Sequence, residues 1–270
     1  MISFPNAKIN LGLNIVSKRS DGYHNLETVF YPIPLYDALE VVQSETNETI
    51  FTLSGIAIAG NPNDNLIMKA YRLLKNDFDL PPVHIFLQKN IPFGAGLGGG
   101  SSDAAFMLKL LNDFAGLNLS DSQLEDYASR LGADCSFFIQ NKPVFAEGTG
   151  NIFSPIELTL KGYYLLLIKP DILISTQEAY SLIKPKPAEE SIVEILQHPV
   201  NEWKNRLNND FEDSIFTRYP KIKEIKEKLY EEGAVYAAMS GSGSSVFGVF
   251  EMCTNGVNFF PDCLCYSLEL

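Results

Sequence analysis

A glycine-rich stretch in the first half of the chain has the residue types that bind anions. It spans residues 92–105 and has five glycines within the seven positions 94–100. Glycine adopts positive φ angles and lets a ligand approach the backbone, so successive N–H groups can point at one anion. Ser101 and Ser102 are good N-cap residues and Asp103 suits a first turn, so the apolar run after them predicts a helix that starts here with its positive N-terminal end facing the glycines. We interpret the stretch as a phosphate cradle.

Two established phosphate motifs fit this stretch poorly. Gly94, Gly96 and Gly99 satisfy G-x-G-x-x-G, but residues 89–93 separate them from the predicted strand 83–88, whereas the dinucleotide fingerprint follows a strand directly. A Walker loop ends in G-K-[ST], and no lysine follows the last glycine here. A glycine-rich loop that binds no ligand is the remaining structural alternative.

Polar side chains with catalytic potential also occur outside the glycine stretch. Residues 7–15 alternate apolar with polar or small side chains, which predicts a half-buried strand with Lys8 and Asn10 on one face, about 6–7 Å apart. By default such side chains are simply solvated. Asp134 stands among small and apolar residues. It is either the N-cap of a short helix or a carboxylate in a semi-buried catalytic site.

Strands and helices must position these residues. Apolar runs and alternation predict further strands at 26–33, 38–43, 49–53, 83–88, 163–169, 235–239, 245–250 and 263–268. Helices are predicted at 104–114 and 220–232, and after the capping box of Ser120 and Gln123. The short glycine loop 240–244 between two predicted strands is typical of a hairpin connection.

Composition restricts the possible partners and the compartment. The 270 residues carry a net charge of −12, which argues against binding to nucleic acid or to an anionic membrane surface. The longest apolar run, 163–168, is too short to span a bilayer, and the first residues do not have the pattern of a signal peptide. The four cysteines lack metal-binding spacing. We expect them to be reduced thiols of a cytoplasmic protein.

Three separated segments resemble the motifs of the GHMP kinases, the superfamily of galactokinase, homoserine kinase, mevalonate kinase and phosphomevalonate kinase. The segments are residues 6–11, 92–105 and 239–244, and their order and spacing also match. The resemblance implies an α+β fold of two domains: an N-terminal nucleotide-binding domain similar to ribosomal protein S5 domain 2 (1–155) and a C-terminal ferredoxin-like α/β domain contributing to substrate binding (156–270). It also implies phosphoryl transfer from ATP, with Mg²⁺, to an alcohol.

Further segments narrow the resemblance to one branch of this superfamily. Residues 21–24, 132–134 and 145–148 are similar to those of kinases acting on the 2-hydroxyl of a methylerythritol unit linked to cytidine diphosphate, in the non-mevalonate route to isoprenoid precursors. By this resemblance Lys8 and Asp134 are catalytic, and no metal ligands are assigned. The implied substrate-binding residues are Asn10, Tyr23, His24, Thr176 and Tyr180. The implied nucleotide-binding residues are Pro92, Phe93, Gly94, Ala95, Gly96, Leu97, Gly98, Gly99, Gly100, Ser101 and Ser102.

Three other functions remain open at this point. A GHMP kinase acting on homoserine or mevalonate would lack the aromatic clamp that Tyr23 and Tyr180 are expected to form around the cytosine base. A phosphate-binding regulator without catalytic activity would share the fold, and the presence of both Lys8 and Asp134 speaks against it. A dinucleotide oxidoreductase is the least supported of the three.

Overall fold

The computed structural model describes residues 1–57, 61, 64–254, 256 and 259–270. The strands are β1 (Ile2–Ser3), β2 (Asn6–Lys18), β3 (His24–Tyr36), β4 (Ala38–Gln43), β5 (Ile50–Gly55), β6 (Val83–Lys89), β7 (Val144–Glu147), β8 (Ile152–Pro155), β9 (Tyr164–Pro170), β10 (Tyr236–Met239), β11 (Val246–Phe250) and β12 (Cys263–Glu269). The α-helices are α1 (Leu66–Asp77), α2 (Gly99–Phe114), α3 (Asp121–Ser129), α4 (Phe137–Gln140), α5 (Thr176–Ser181), α6 (Ile192–Leu196), α7 (Phe211–Arg218) and α8 (Pro220–Glu231).

The chain forms two compact units that do not follow its linear order. The first unit contains Met1–Ala7, Leu35–Phe93 and Gly98–Lys142, and the second contains Lys8–Pro34, Gly94–Leu97 and Pro143–Leu270. The division into linear domains near residue 155 stays a prediction.

The first unit packs its helices on a mixed four-stranded sheet of order β1-β4-β6-β5. Strand β6 pairs antiparallel with β4 and parallel with β5. Helix α1 begins at the Asn65 cap, whose side chain accepts from the Ile67 N–H, and buries apolar residues at helical spacing up to Leu74. Helix α2 is buried on most sides, as its nearly uniform apolar sequence predicts. These elements carry the C-terminal part of the glycine stretch.

The second unit contains two four-stranded sheets, of order β2-β3-β7-β8 and β10-β11-β9-β12. In the latter all neighbours are antiparallel. Helices α7 and α8 bury Ile215, Ile222 and Leu229 in one apolar core, together with residues of β2, β9 and β10. The predicted α+β architecture is confirmed, as is the hairpin that connects β10 to β11.

Two local predictions are wrong, and one of the two interpretations of Asp134 is excluded. Strand β2 is not half-buried: Lys8 is 4% and Asn10 3% exposed, so both faces are covered at these positions. Helix α2 begins at Gly99 with Gly98 as N-cap, so Ser101 and Ser102 lie in its first turn rather than at its cap. The N-cap of α4 is Ser136, which excludes Asp134 as the cap of that helix. Among the described residues, no helix has the length and apolarity needed to cross a membrane.

Candidate active site

Lys8 lies on β2 and is oriented by two oxygen atoms. Its ammonium donates to the Asn10 side-chain oxygen at 2.7 Å and to the Gly96 carbonyl at 3.3 Å. Its Nζ also lies 4.7 Å from the centroid of the Phe30 ring, within the range of a cation–π interaction. The backbone N–H of Lys8 donates to the Leu97 carbonyl at 2.9 Å. Lys8 and Asn10 therefore do face the same way, as the alternation predicts, but into a buried site rather than into solvent.

The orientation of the Asn10 amide is fixed by Thr28, a residue that the sequence analysis missed. The Asn10 Nδ2 donates to Thr28 Oγ1 at 3.0 Å, and that hydroxyl donates to the Gly12 carbonyl at 2.5 Å. With its nitrogen held by Thr28, the amide presents its oxygen to Lys8. The chain of hydrogen bonds thereby positions the lysine, and only the lateral pairing of β2 with β3 brings Thr28 to this place.

Ser240, in the loop after β10, links β2 to the glycine stretch. Its hydroxyl donates to the Gly96 carbonyl at 2.9 Å and accepts from the Asn10 N–H at 3.3 Å. Gly96 has φ +75°, and a Cβ atom there would overlap the Ser240 carbonyl oxygen. Residues from all three segments that resemble GHMP motifs are thus in contact within the second unit. The loop 240–244 is more than a hairpin connection.

The first unit contains the end of the glycine stretch and the start of α2. Gly98 has φ +69°, and the free N–H groups at a helix N-terminus attract anions. The hydroxyl of Ser102, in the first turn, is buried and has no hydrogen-bond partner among the residues that the structure describes. Phe93, another of the implied nucleotide-binding residues, is 58% exposed. A phosphate group with bound Mg²⁺ would give the Ser102 hydroxyl a polar partner. The start of α2 therefore fits a magnesium–phosphate group.

No cluster of three or more His, Cys, Asp or Glu side chains suited to a metal occurs in the part of the chain that the structure describes.

Asp134 lies in the turn between α3 and α4 and is half-buried. The next residue, Cys135, is fully buried, and burial raises the pKa of its thiol to about 12. The backbone N–H of Cys135 donates to the Gly132 carbonyl at 3.1 Å, which fixes the turn on both sides of the carboxylate. Of the two interpretations of Asp134, the carboxylate in a semi-buried site fits this placement.

Only two of the three predicted substrate-binding rings are in contact with each other. The His24 ring stacks on the Tyr180 ring with centroids 5.0 Å apart and planes 22° apart, and Tyr180 packs edge-on against Phe211. Tyr23 is 68% exposed, so His24 rather than Tyr23 faces Tyr180. Burial and the nearby Lys18 lower the pKa of His24, which keeps the imidazole neutral at pH 7.

Helix α5 carries Thr176 and Tyr180 and is anchored at several points. Ser175 caps it by accepting from the Glu178 N–H. Glu178 in turn accepts from Arg218 and from the Tyr219 hydroxyl, each at 2.8 Å. Thr176 is exposed at the first helical position. A short helix that is held in this way can present two side chains in a fixed orientation.

Comparison with known proteins identifies the same superfamily over much of the chain. The family model described as the GHMP kinases N terminal domain matches residues 65–142, and that described as GHMP kinases C terminal matches residues 191–252. A 4-diphosphocytidyl-2-C-methyl-D-erythritol kinase of Bacteroides fragilis is 64% identical over 252 residues, covering 93% of this chain and 92% of the relative. The kinase of the same name from Parabacteroides distasonis is 59% identical, with full coverage of both chains.

Solved structures give a consistent result. A crystal structure of 4-(cytidine 5'-diphospho)-2C-methyl-D-erythritol kinase superposes with a TM-score of 0.81 at 29% identity, covering all of both chains. The mevalonate kinase of Methanococcus jannaschii has a TM-score of 0.74 at 14% identity, covering all of this chain and 98% of the other. At that identity the second likeness shows a shared fold alone.

Proposed function

Since the chain belongs to the GHMP kinases, among the 4-diphosphocytidyl-2-C-methyl-D-erythritol kinases, we propose that it transfers the γ-phosphoryl group of ATP to the 2-hydroxyl of 4-diphosphocytidyl-2-C-methyl-D-erythritol. This is a step of the methylerythritol phosphate route to isoprenoid precursors. The observation that carries the proposal is the buried Lys8 ammonium, oriented by Asn10 and by the carbonyl of Gly96 in the glycine stretch.

The proposed chemistry assigns one role each to Asp134 and Lys8. The hydroxyl oxygen of the acceptor bonds to the γ-phosphorus, the bond from that phosphorus to the β,γ-bridging oxygen breaks, and ADP leaves. The hydroxyl proton passes to the Asp134 carboxylate, acting as general base. The Lys8 ammonium keeps a carboxylate ionised and offsets the charge that develops on the transferring group.

The nucleotide is proposed to bind through backbone N–H groups of residues 92–102. Positive φ angles at Gly94 and Gly98 support this, because a left-handed backbone without side chains lets successive N–H groups turn toward one anion. Ser102 is the residue that would hold Mg²⁺, which when bound would neutralise part of the phosphate charge.

The cytidine end of the acceptor is proposed to bind beside α5. The stacked pair of His24 and Tyr180 supports an aromatic site for a flat base, with Tyr23 as the second ring of the clamp and Thr176 at its edge. Asn10 would contact the alcohol end. We also propose a cytoplasmic location, supported by the free state of Cys135, Cys253, Cys263 and Cys265.

A panel of alcohols tests the function directly. We would measure ADP release with Mg-ATP and, in turn, 4-diphosphocytidyl-methylerythritol, methylerythritol 4-phosphate, homoserine and mevalonate. Turnover of the cytidine compound alone is expected. Turnover of homoserine or mevalonate instead would refute the substrate and the aromatic clamp, although the assignment of Lys8 and Asp134 would survive it.

A further inference from the structure

A buried lysine between two buried carboxylates lies at the base of the glycine stretch. Lys89 is the last residue of β6, and its ammonium contacts Asp103 Oδ2 at 2.7 Å and forms a second ion pair with Asp37. The exposed fractions of Asp37, Lys89 and Asp103 are 1%, 3% and 3%. None of the three is among the proposed catalytic or ligand-binding residues.

Asp37 fixes the chain where it leaves β6. Its second oxygen, Oδ1, accepts from the backbone N–H groups of Asn90 and Ile91, at 2.6 Å and 2.9 Å. The Asp37 N–H donates to the Pro5 carbonyl at 2.8 Å, so the carboxylate itself is anchored. The two residues that precede Pro92 are therefore held in one position.

Asp103 fixes the other side of the stretch, where α2 begins. It is the fifth residue of that helix and contacts the same ammonium. A Cβ atom on Gly99, the first residue of the helix, would lie 2.8 Å from the Ile91 side chain and 3.4 Å from the Lys89 Nζ. The entry segment, the lysine and the start of the helix are consequently packed directly against one another.

We propose that Asp37, Lys89 and Asp103 are positioning residues for the ATP phosphates, because they tie the start of the glycine stretch to the start of α2. The inference rests on the proposed function, since it takes the ligand of the stretch to be ATP. The three side chains do not touch the nucleotide. They act by fixing the backbone N–H groups that do.

The energetics argue that geometry, rather than stability, is the role of this cluster. A buried ion pair gains little over well-packed apolar side chains of similar volume, because desolvation of the charges offsets their attraction. Here there are two carboxyl groups for one ammonium, and within the described part of the chain Asp103 Oδ1 is buried without a hydrogen-bond partner. Because of this desolvation cost, the cluster contributes little to the stability of the fold. It does hold two chain segments, residues 90–91 and the start of α2, in a fixed position relative to each other.

The test compares nucleotide affinity with stability in matched variants. Asp103→Ala removes the contact to Lys89, Asp103→Asn keeps an oxygen for it, and Asp113→Ala removes an exposed carboxylate of the same helix. The Kd for ATP would be measured by titration calorimetry without acceptor, the KM of ATP and of the acceptor by steady-state kinetics, and the Tm by thermal unfolding.

We expect Asp103→Ala to raise the Kd and KM for ATP about tenfold, equal to about 1.4 kcal/mol, and to leave the KM of the acceptor within about twofold. Asp103→Asn should recover most of the ATP affinity, and Asp113→Ala should match the unmodified chain. If Asp103→Ala does not fold, Asp103→Glu serves instead, because its extra methylene displaces the helix start.

A lowered Tm with the ATP Kd unchanged within about twofold would overturn the proposal and leave the cluster a merely structural one. An unmodified chain that binds ATP but phosphorylates none of the alcohols would refute the proposed function while leaving this inference standing. An unmodified chain that binds no ATP would overturn both.

Discussion

Replacement of Asp103 by asparagine should change how the stability of the protein depends on pH. Burial raises the pKa of this carboxyl from 3.8 to about 7, since the Lys89 ammonium opposes the effect only in part and the Asp37 carboxylate adds to it. Below about pH 4 the group is protonated in both the folded and the unfolded chain. Between about pH 4 and 7 the unfolded chain loses this proton and the folded chain keeps it, so stability falls as pH rises.

The size of the effect follows from the same shift. A difference of one pKa unit corresponds to about 1.36 kcal/mol, so the free energy of unfolding should lose about 4 kcal/mol across the whole window. Between pH 5 and pH 7 the expected loss is about 2 kcal/mol. Above about pH 7 the carboxyl is ionised in both states, and its contribution becomes constant. Asparagine does not titrate, so the variant lacks this slope.

Urea unfolding at several pH values from 5 to 8 would measure this pH dependence of the free energy of unfolding. The quantity of interest is the free energy of unfolding of the unmodified chain minus that of Asp103→Asn, in which the contributions of the other titrating groups largely cancel. We expect this difference to fall from pH 5 to pH 7 and then to level off. Asp113→Asn, on the exposed face of the same helix, should give a flat difference. A flat difference for Asp103→Asn as well, or one that rises with pH, would refute the reasoning.

Three further variants test the loop and the proposed site residues. Gly96→Ala should lower the urea midpoint more than Gly116→Ala, since both glycines have positive φ but only a Cβ on Gly96 would overlap a carbonyl oxygen; equal losses would contradict the overlap. Asp134→Asn should lower kcat about 10²–10⁴-fold with the ATP Kd nearly intact, and a loss below about tenfold would remove it as the base. Tyr180→Ala should raise the KM of the cytidine substrate about tenfold at a constant KM for ATP, as the loss of one stacked ring predicts; an unchanged KM would exclude a clamp.

Local sequence patterns predicted helices and strands well where the residues of the pattern themselves stabilise the element. Ser120 and Gln123 form the capping box at the start of α3 that their spacing predicts. The apolar runs around residues 163–169 and 245–250 are the central strands β9 and β11, buried along most of their length. In each case the information lies within a few consecutive residues, which is the range over which caps and periodicity act.

The parts of the site that were missed depend on residues far apart in sequence. Polar alternation suggested an open face for β2, but Ser240, 230 positions after Asn10, covers that strand. The serines after the glycine stretch suggested the start of α2, whereas the helix begins at Gly99, where a Cβ atom would collide with Ile91. Close packing therefore outweighs the low helix propensity of glycine at this point.

The two buried lysines next to the glycine stretch are held by different kinds of acceptor. The Lys89 ammonium lies between the carboxyl groups of Asp37 and Asp103, which balance its charge within the buried cluster. The contacts that orient Lys8 within the second unit are to an amide oxygen and a backbone carbonyl. Both of these acceptors are uncharged oxygens, and hydrogen bonds to them fix the direction in which the ammonium points. Burial in itself therefore does not define what a lysine does in this chain, because the two ammonium groups are held by different kinds of acceptor.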